Sequence, residues 1–107
     1  MLTKNSSQTF GLKRDVINAM GRVFAAYPEV EQVILYGSRA KGTFKPGSDI
    51  DLCLVGTGLT LPSLLMIDTD LDDLLLPYKI DLSIRDHIDN PELLAHIQRA
   101  GVSFYQR

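Results

Sequence analysis

Val33-Ile34-Leu35-Tyr36-Gly37-Ser38, ten further residues, then Asp49-Ile50-Asp51-Leu52-Cys53-Leu54-Val55 is the stretch that decides the fold. Two apolar runs of strand length bracket a glycine-containing loop, which predicts a strand–loop–strand unit. Residues two apart on a strand share a face, so Asp49 and Asp51 project together with Cα atoms roughly 7 Å apart, while Ile50 and Leu52 turn to the core. If the Gly37-Ser38 bend and the acid pair touch one ligand, the end of the first strand lies beside the start of the second. The two strands then run antiparallel.

Before this unit, Leu12, Val16, Ile17, Met20, Val23, Phe24 and Tyr27 recur at three- and four-residue steps. They predict an amphipathic helix that Pro28 closes. Residues 1–8 are polar and start without a cap, so a flexible arm over 1–10 is expected ahead of a single domain over 11–107. After the unit, Leu61, Leu64, Leu65, Asp68, Leu71 and Leu75 trace a second helix ended by Pro77. Tyr78 to Ile84 alternates as a third strand, with Ile80, Leu82 and Ile84 on one face and Asp81 and Ser83 on the other. Asn90 and Pro91 open a last helix that Gly101 can terminate, and Val102 to Tyr105 adds a short edge strand. The order predicts an α/β (α+β) domain, a small mixed β-sheet flanked by helices.

The chain has 107 residues, 45% apolar and 22% charged, with a formal net charge of −2. That is enough for one core and too little for a catalytic module plus a separate acceptor domain. The acidic balance argues against direct nucleic-acid binding, which favours a basic stripe. A lone cysteine, no signal segment and no apolar run of spanning length predict a cytoplasmic protein without membrane attachment.

The chemistry sits around the loop. Two carboxylates held this close raise each other's pKa, and a divalent cation removes that penalty, so the pair is better explained by Mg²⁺ than by acid–base work alone. Magnesium takes hard oxygen ligands, commonly one or two carboxylates plus substrate phosphates; oxygen ligands also admit Mn²⁺. Gly37 lets backbone approach a phosphate, and the Ser38 hydroxyl can donate to it. Arg39, Lys41 and Lys45 supply positive charge, of which Arg39 or Lys45 is expected to meet phosphate, with Ser48 beside the acid pair. Two metals flanking a phosphoryl centre need a third carboxylate, and Asp81 on the third strand is the candidate, completing one metal site and accepting the proton of an attacking hydroxyl.

These residues resemble a known family. Gly37-Ser38 and the spaced Asp49-x-Asp51 are similar to the signature of the DNA-polymerase-β-type nucleotidyltransferase superfamily. The fuller run Gly37-Ser38-Arg39-Ala40-Lys41-Gly42 with Ser48-Asp49-Ile50-Asp51-Leu52 resembles its minimal nucleotidyltransferase (MNT) branch. Element order and Asp81 extend the likeness over nearly the whole chain, and Lys41 for Arg before Gly42 is a conservative exchange. The resemblance implies a nucleotidyltransferase fold in which Asp49, Asp51 and Asp81 are catalytic and bind two Mg²⁺ ions, while Gly37 and Ser38 hold the triphosphate of ATP. It implies transfer of AMP with release of pyrophosphate. It also implies an antitoxin role, the acceptor being a tyrosine of a HEPN ribonuclease toxin encoded next door. Two other functions share these features: a HEPN-binding antitoxin without catalysis, and nucleotidyl transfer to a small molecule such as an aminoglycoside.

Other residues have plainer readings. Asp68, Asp70 and Asp72 alternate as in a calcium loop, but Asp73 and Lys79 stand where that loop needs glycine and glutamate, so a solvated helix face or a contact with a basic partner is expected. His87 and His96 lack ligand spacing and are expected at the surface, and Cys53 is expected to be a small buried strand residue. The edge at Val102 to Tyr105 is one through which a homo- or hetero-oligomer can pair.

Overall fold

The structure, a computed structural model, describes residues 8–107. A short hairpin of β1 (Gln8–Thr9) and β2 (Leu12–Lys13) leads into α1 (Arg14–Ala25). Then come β3 (Gln32–Tyr36), α2 (Ser38–Lys41), β4 (Ile50–Val55), α3 (Leu61–Asp72), β5 (Ile80–Ile84), a 3-10 turn (Arg85–His87), α4 (Pro91–Ala100) and β6 (Val102–Gln106). The main sheet has the order β5-β4-β3-β6. β3 pairs antiparallel with both β4 and β6, and β4 pairs parallel with β5, giving the mixed sheet that the element order predicts.

One face of the sheet carries the core. Val33, Leu35, Ile50, Leu52, Leu54 and Ile84 pack there against Met20 and Phe24 of α1 and Ile67 and Leu71 of α3. At about 25 cal/mol for each Å² of apolar surface removed from water, this layer is the main source of stability. The opposite face is only partly covered. There α4 lies against β3, where Gly101 comes so close to Ile34 that a Cβ would collide with its side chain. Its entry is fixed by Asn90, whose side-chain oxygen accepts from the amides of Glu92 and Leu93 at 2.9 and 3.2 Å.

Three expectations shift. Of the arm expected over residues 1–10, residues 1–7 lie outside the described residues, whereas Gln8 and Thr9 pair with Lys13 and Leu12, and Phe10 packs against the core. Leu12 is fully buried as a strand residue, not as the first turn of the helix. The second helix stops at Asp72, five residues short of Pro77, because the chain turns through Leu74 and Leu75. Leu75 there adopts a left-handed φ of 55°.

Candidate active site

The sheet order sets three acids at one end of the less covered face. Asp51 at the start of β4 is the register partner of Asp81 at the start of β5, and on its other side of Tyr36 at the end of β3. Register partners in a sheet point to the same side, so the two carboxylates face the same space. Asp49 lies in the loop immediately before β4, exposed and close enough to act on Asp51 by its charge. Burial pushes the Asp51 carboxyl above its ordinary value, and the charges of Asp81 and then of Asp49 push it the same way.

The Gly37-Ser38 bend meets this group directly. Gly37 has φ +79°, a conformation that side chains disfavour, and a Cβ there would run into the Asp51 carboxylate. Ser38 opens α2, whose first amides have no acceptor within the helix and are free to face an oxygen-rich ligand. The bend, Asp49, Asp51 and Asp81 are therefore brought together.

The expected phosphate-binding cation Arg39 is placed elsewhere. It is buried, 2% exposed, and its guanidinium donates to the Ser48 carbonyl through Nε (3.1 Å) and Nη2 (2.9 Å) and to the Phe10 carbonyl through Nη1 (2.8 Å). It also lies over the rings of Phe44 and Tyr78, 5.2 and 5.0 Å from their centroids. These contacts engage each of its three nitrogens and hold it against two rings, so Arg39 ties the loop before Asp49 to the N-terminal hairpin and is buried away from solvent. Ser48 likewise turns its hydroxyl inward, accepting from the Lys45 amide at 2.8 Å and closing the turn through Pro46 and Gly47. Lys45 is exposed at the loop's edge.

Two residues of this face escape a reading by motif. Tyr36 stands beside Asp51, its hydroxyl pKa raised first by burial, against the pull of Ser83, and further by the charges of Asp51 and Asp81. His96 of α4 meets the Tyr36 ring edge-on at 6.2 Å, and so is half-buried where a surface position was expected. Cys53, two residues beyond Asp51, is fully buried as expected, and burial pushes its thiol pKa up.

Whether these residues suit a divalent metal can be judged from their donors. They are hard carboxylate oxygens in a cluster whose mutual repulsion already raises the Asp51 pKa, which a cation would relieve. Among the described residues no three His, Cys, Asp or Glu side chains stand close enough to enclose one ion. The set fits magnesium in its usual mode, with one or two carboxylates and the remaining ligands from phosphates and water.

Solved structures share this architecture. One of a toxin–antitoxin with AMP-PNP has a TM-score of 0.70 at 19% identity over 85% of this chain and 73% of that chain. One of the MntA–HepT toxin–antitoxin has 0.66 at 15%, covering 89% and 74%. One of a tri-AMPylated Shewanella oneidensis HEPN toxin in complex with MNT antitoxin has 0.66 at 16%, covering 88% and 72%. At these identities the likeness is one of fold. Among curated proteins none matches the chain significantly. No helix among the described residues is long and apolar enough to cross a membrane. The family model described as Polymerase beta, Nucleotidyltransferase matches residues 18–107. Its span takes in the Gly37-Ser38 bend and all three acids, and the chain belongs to the polymerase beta nucleotidyltransferase family.

Proposed function

We propose that this protein transfers a nucleoside monophosphate, AMP from ATP, to a tyrosine of a partner protein, a HEPN-domain toxin, and so acts as an antitoxin of the MNT type. The observation that carries the reading is the meeting of Asp51 with Asp81 on one side and Gly37 on the other. Neighbours of the same fold that hold AMP-PNP, or sit against an AMPylated HEPN toxin, support the choice of nucleotide and acceptor.

In this reading Gly37 and Ser38 receive the triphosphate and Lys45 reaches it from the loop edge. Asp49, Asp51 and Asp81 would hold magnesium, no more than two of them to any one ion, and the metal would supply neutralisation of phosphate charge. The acceptor hydroxyl approaches from the Asp81 side. Its oxygen forms a bond to the α-phosphorus, the bond from that phosphorus to the bridging oxygen breaks, pyrophosphate leaves, and the hydroxyl proton passes to the Asp81 carboxylate. Arg39 contributes by holding the Ser48 carbonyl, which fixes the chain immediately before Asp49.

ATP labelled at the α-phosphorus tests the reaction class. Label from this position should appear on the HEPN protein and label from the γ-phosphorus should not. Transfer of γ-label would make the protein a kinase, and no label on the protein from either position would leave a binding antitoxin.

A further inference from the structure

α3 departs in two ways from a helix that merely covers a free-standing domain. Its inner side packs into the core through Leu64, Ile67 and Leu71, yet its outer side is apolar as well: Leu61, Leu65 and Met66 are 56%, 57% and 58% exposed and form a strip along the first two turns. The helix also ends on acids. Asp72 and the cap residue Asp73 are exposed at its C-terminus, where the backbone carbonyls already concentrate negative charge, and its last turn has no basic residue to offset them. Between Lys45 and Lys79 the sequence contains no Lys, Arg or His. Just past the helix Leu75 is 88% exposed and stands at φ 55°, a left-handed backbone that leucine disfavours. A hollow of about 270 Å³ opens in the same surface, lined by Tyr27 beyond the end of α1 and by Leu65, Met66, Thr69 and Asp70 of α3.

We propose that the outer side of α3 is the docking surface for the partner protein: a helix with an apolar stripe and Lys or Arg at one end lies along Leu61, Leu65 and Met66, sets one apolar side chain in the hollow beside Tyr27 and brings its cations against Asp72 and Asp73. The inference rests on the reading above and adds to it where the partner is held and by what chemistry. Exposed leucines and carboxylates at the negative end of a helix are both unfavourable in the isolated chain, and this one occupant relieves both. A helix suits the strip because side chains four apart form the ridge that a second helix packs against, and the hollow gives an anchor residue a desolvated seat. The cations follow from charge complementarity with Asp72 and Asp73. A second copy of this chain would bring no Lys or Arg on α3 or its flanks to meet those acids. The surface is separate from the candidate site, since α3 packs on the sheet face that carries Ile50 and Leu52, and strand alternation turns Asp51 to the other face. A partner held there leaves the acids open to nucleotide and acceptor.

The test is the Kd for the intact HEPN protein, measured without ATP for the wild type, Leu65→Gln, the double variant Asp72→Lys/Asp73→Lys, and Glu92→Lys, with a thermal melt of each free protein. Glu92 is an exposed acid on α4, across the sheet from α3, and controls for a change of overall charge. Leu65→Gln should weaken binding about ten-fold, and the double variant about 100-fold with a flatter dependence on salt. Glu92→Lys should stay within about two-fold of the wild type. Melting temperatures of Leu65→Gln and the double variant should be unchanged or raised, because these side chains serve the partner and not the fold. Wild-type affinity in either α3 variant overturns the proposal, and if AMP still reaches the HEPN protein the transfer reaction stands without it. An equal loss in Glu92→Lys would make the effect one of overall charge, also against it. A wild type that self-associates in sedimentation, with Leu65→Gln monomeric, would assign the strip to a second copy and overturn the proposal. A wild type that does not bind the HEPN protein would remove the proposed partner and this inference together.

Discussion

Asp51 and Asp81 are direct register partners across the parallel β4–β5 pair, so two like charges stand side by side at the mouth of the sheet. Like charges on neighbouring strands destabilise a sheet, an arrangement that folding alone does not favour. Asp81→Asn and Asp51→Asn should therefore leave the melting temperature unchanged or slightly raised while reducing transfer at least about 100-fold. Thermal melts and kcat on the same preparations check both. A large drop in melting temperature would mean that the acids have structural partners instead.

Gly37→Ala should be damaging for two separable reasons. The backbone of Gly37, φ 79° and ψ −156°, lies in a region that is nearly glycine-only and costs an alanine about 1–3 kcal/mol, and the new Cβ displaces the Asp51 carboxylate. Denaturant unfolding should show the first, and the second should appear as loss of transfer even at temperatures where the variant is folded. A folded variant with wild-type kcat would detach Gly37 from the site.

Arg39 separates a structural cation from a ligand-binding one. Arg39→Lys keeps the charge but cannot reproduce the planar fork on the Ser48 and Phe10 carbonyls or the stacking on Phe44 and Tyr78. It should lower stability by about 2–3 kcal/mol, with the KM for ATP little changed in the folded fraction. The reverse result, normal stability with a sharply raised KM for ATP, would restore Arg39 to the phosphate site.

The contrast between Arg39 and the acids shows what the sequence could and could not reveal. Asp51 and the bend were legible because a strand has a period of two and the Gly37-Ser38 turn lies at the strand's end, whereas Asp49, expected to open the strand, lies in the loop just before it. Asp81 was legible from the same alternation. Arg39 was not, since it sits in a loop with Lys41 and Lys45, and the rings that cover it, Phe44 and Tyr78, come together only through the fold. Nor was α2, four residues long and too short for any periodicity. Leu12 fits the apolar spacing of α1, yet the turn at Phe10 and Gly11, both with positive φ, places it in a hairpin. Tyr36 and His96 meet across β3 and α4, a pairing that depends on which face of the sheet α4 covers.

Tyr27 donates a hydrogen bond to Asp70, joining the end of α1 to α3. That bond, then burial, then the charges of Asp70 and Glu29 raise its pKa from 10.0 to about 12. A folded-state pKa above the unfolded value means that the stabilisation is complete below pH 10 and is lost as pH rises towards 12. Tyr27→Phe should be less stable than wild type by about 0.5 kcal/mol at pH 8, a difference that fades across this alkaline window. Denaturation midpoints of the pair at several pH values check it, and a gap that widens with pH would contradict the assignment.

The intact mass of the HEPN partner, measured after incubation with ATP, Mg²⁺ and this protein, tests the central claim most directly. The account predicts a gain of one or more AMP units with the wild type and none with Asp49→Asn, Asp51→Asn or Asp81→Asn. AMP addition that persists undiminished in the Asp51→Asn variant, or a wild type that neutralises its partner while leaving the partner's mass unchanged, would contradict it.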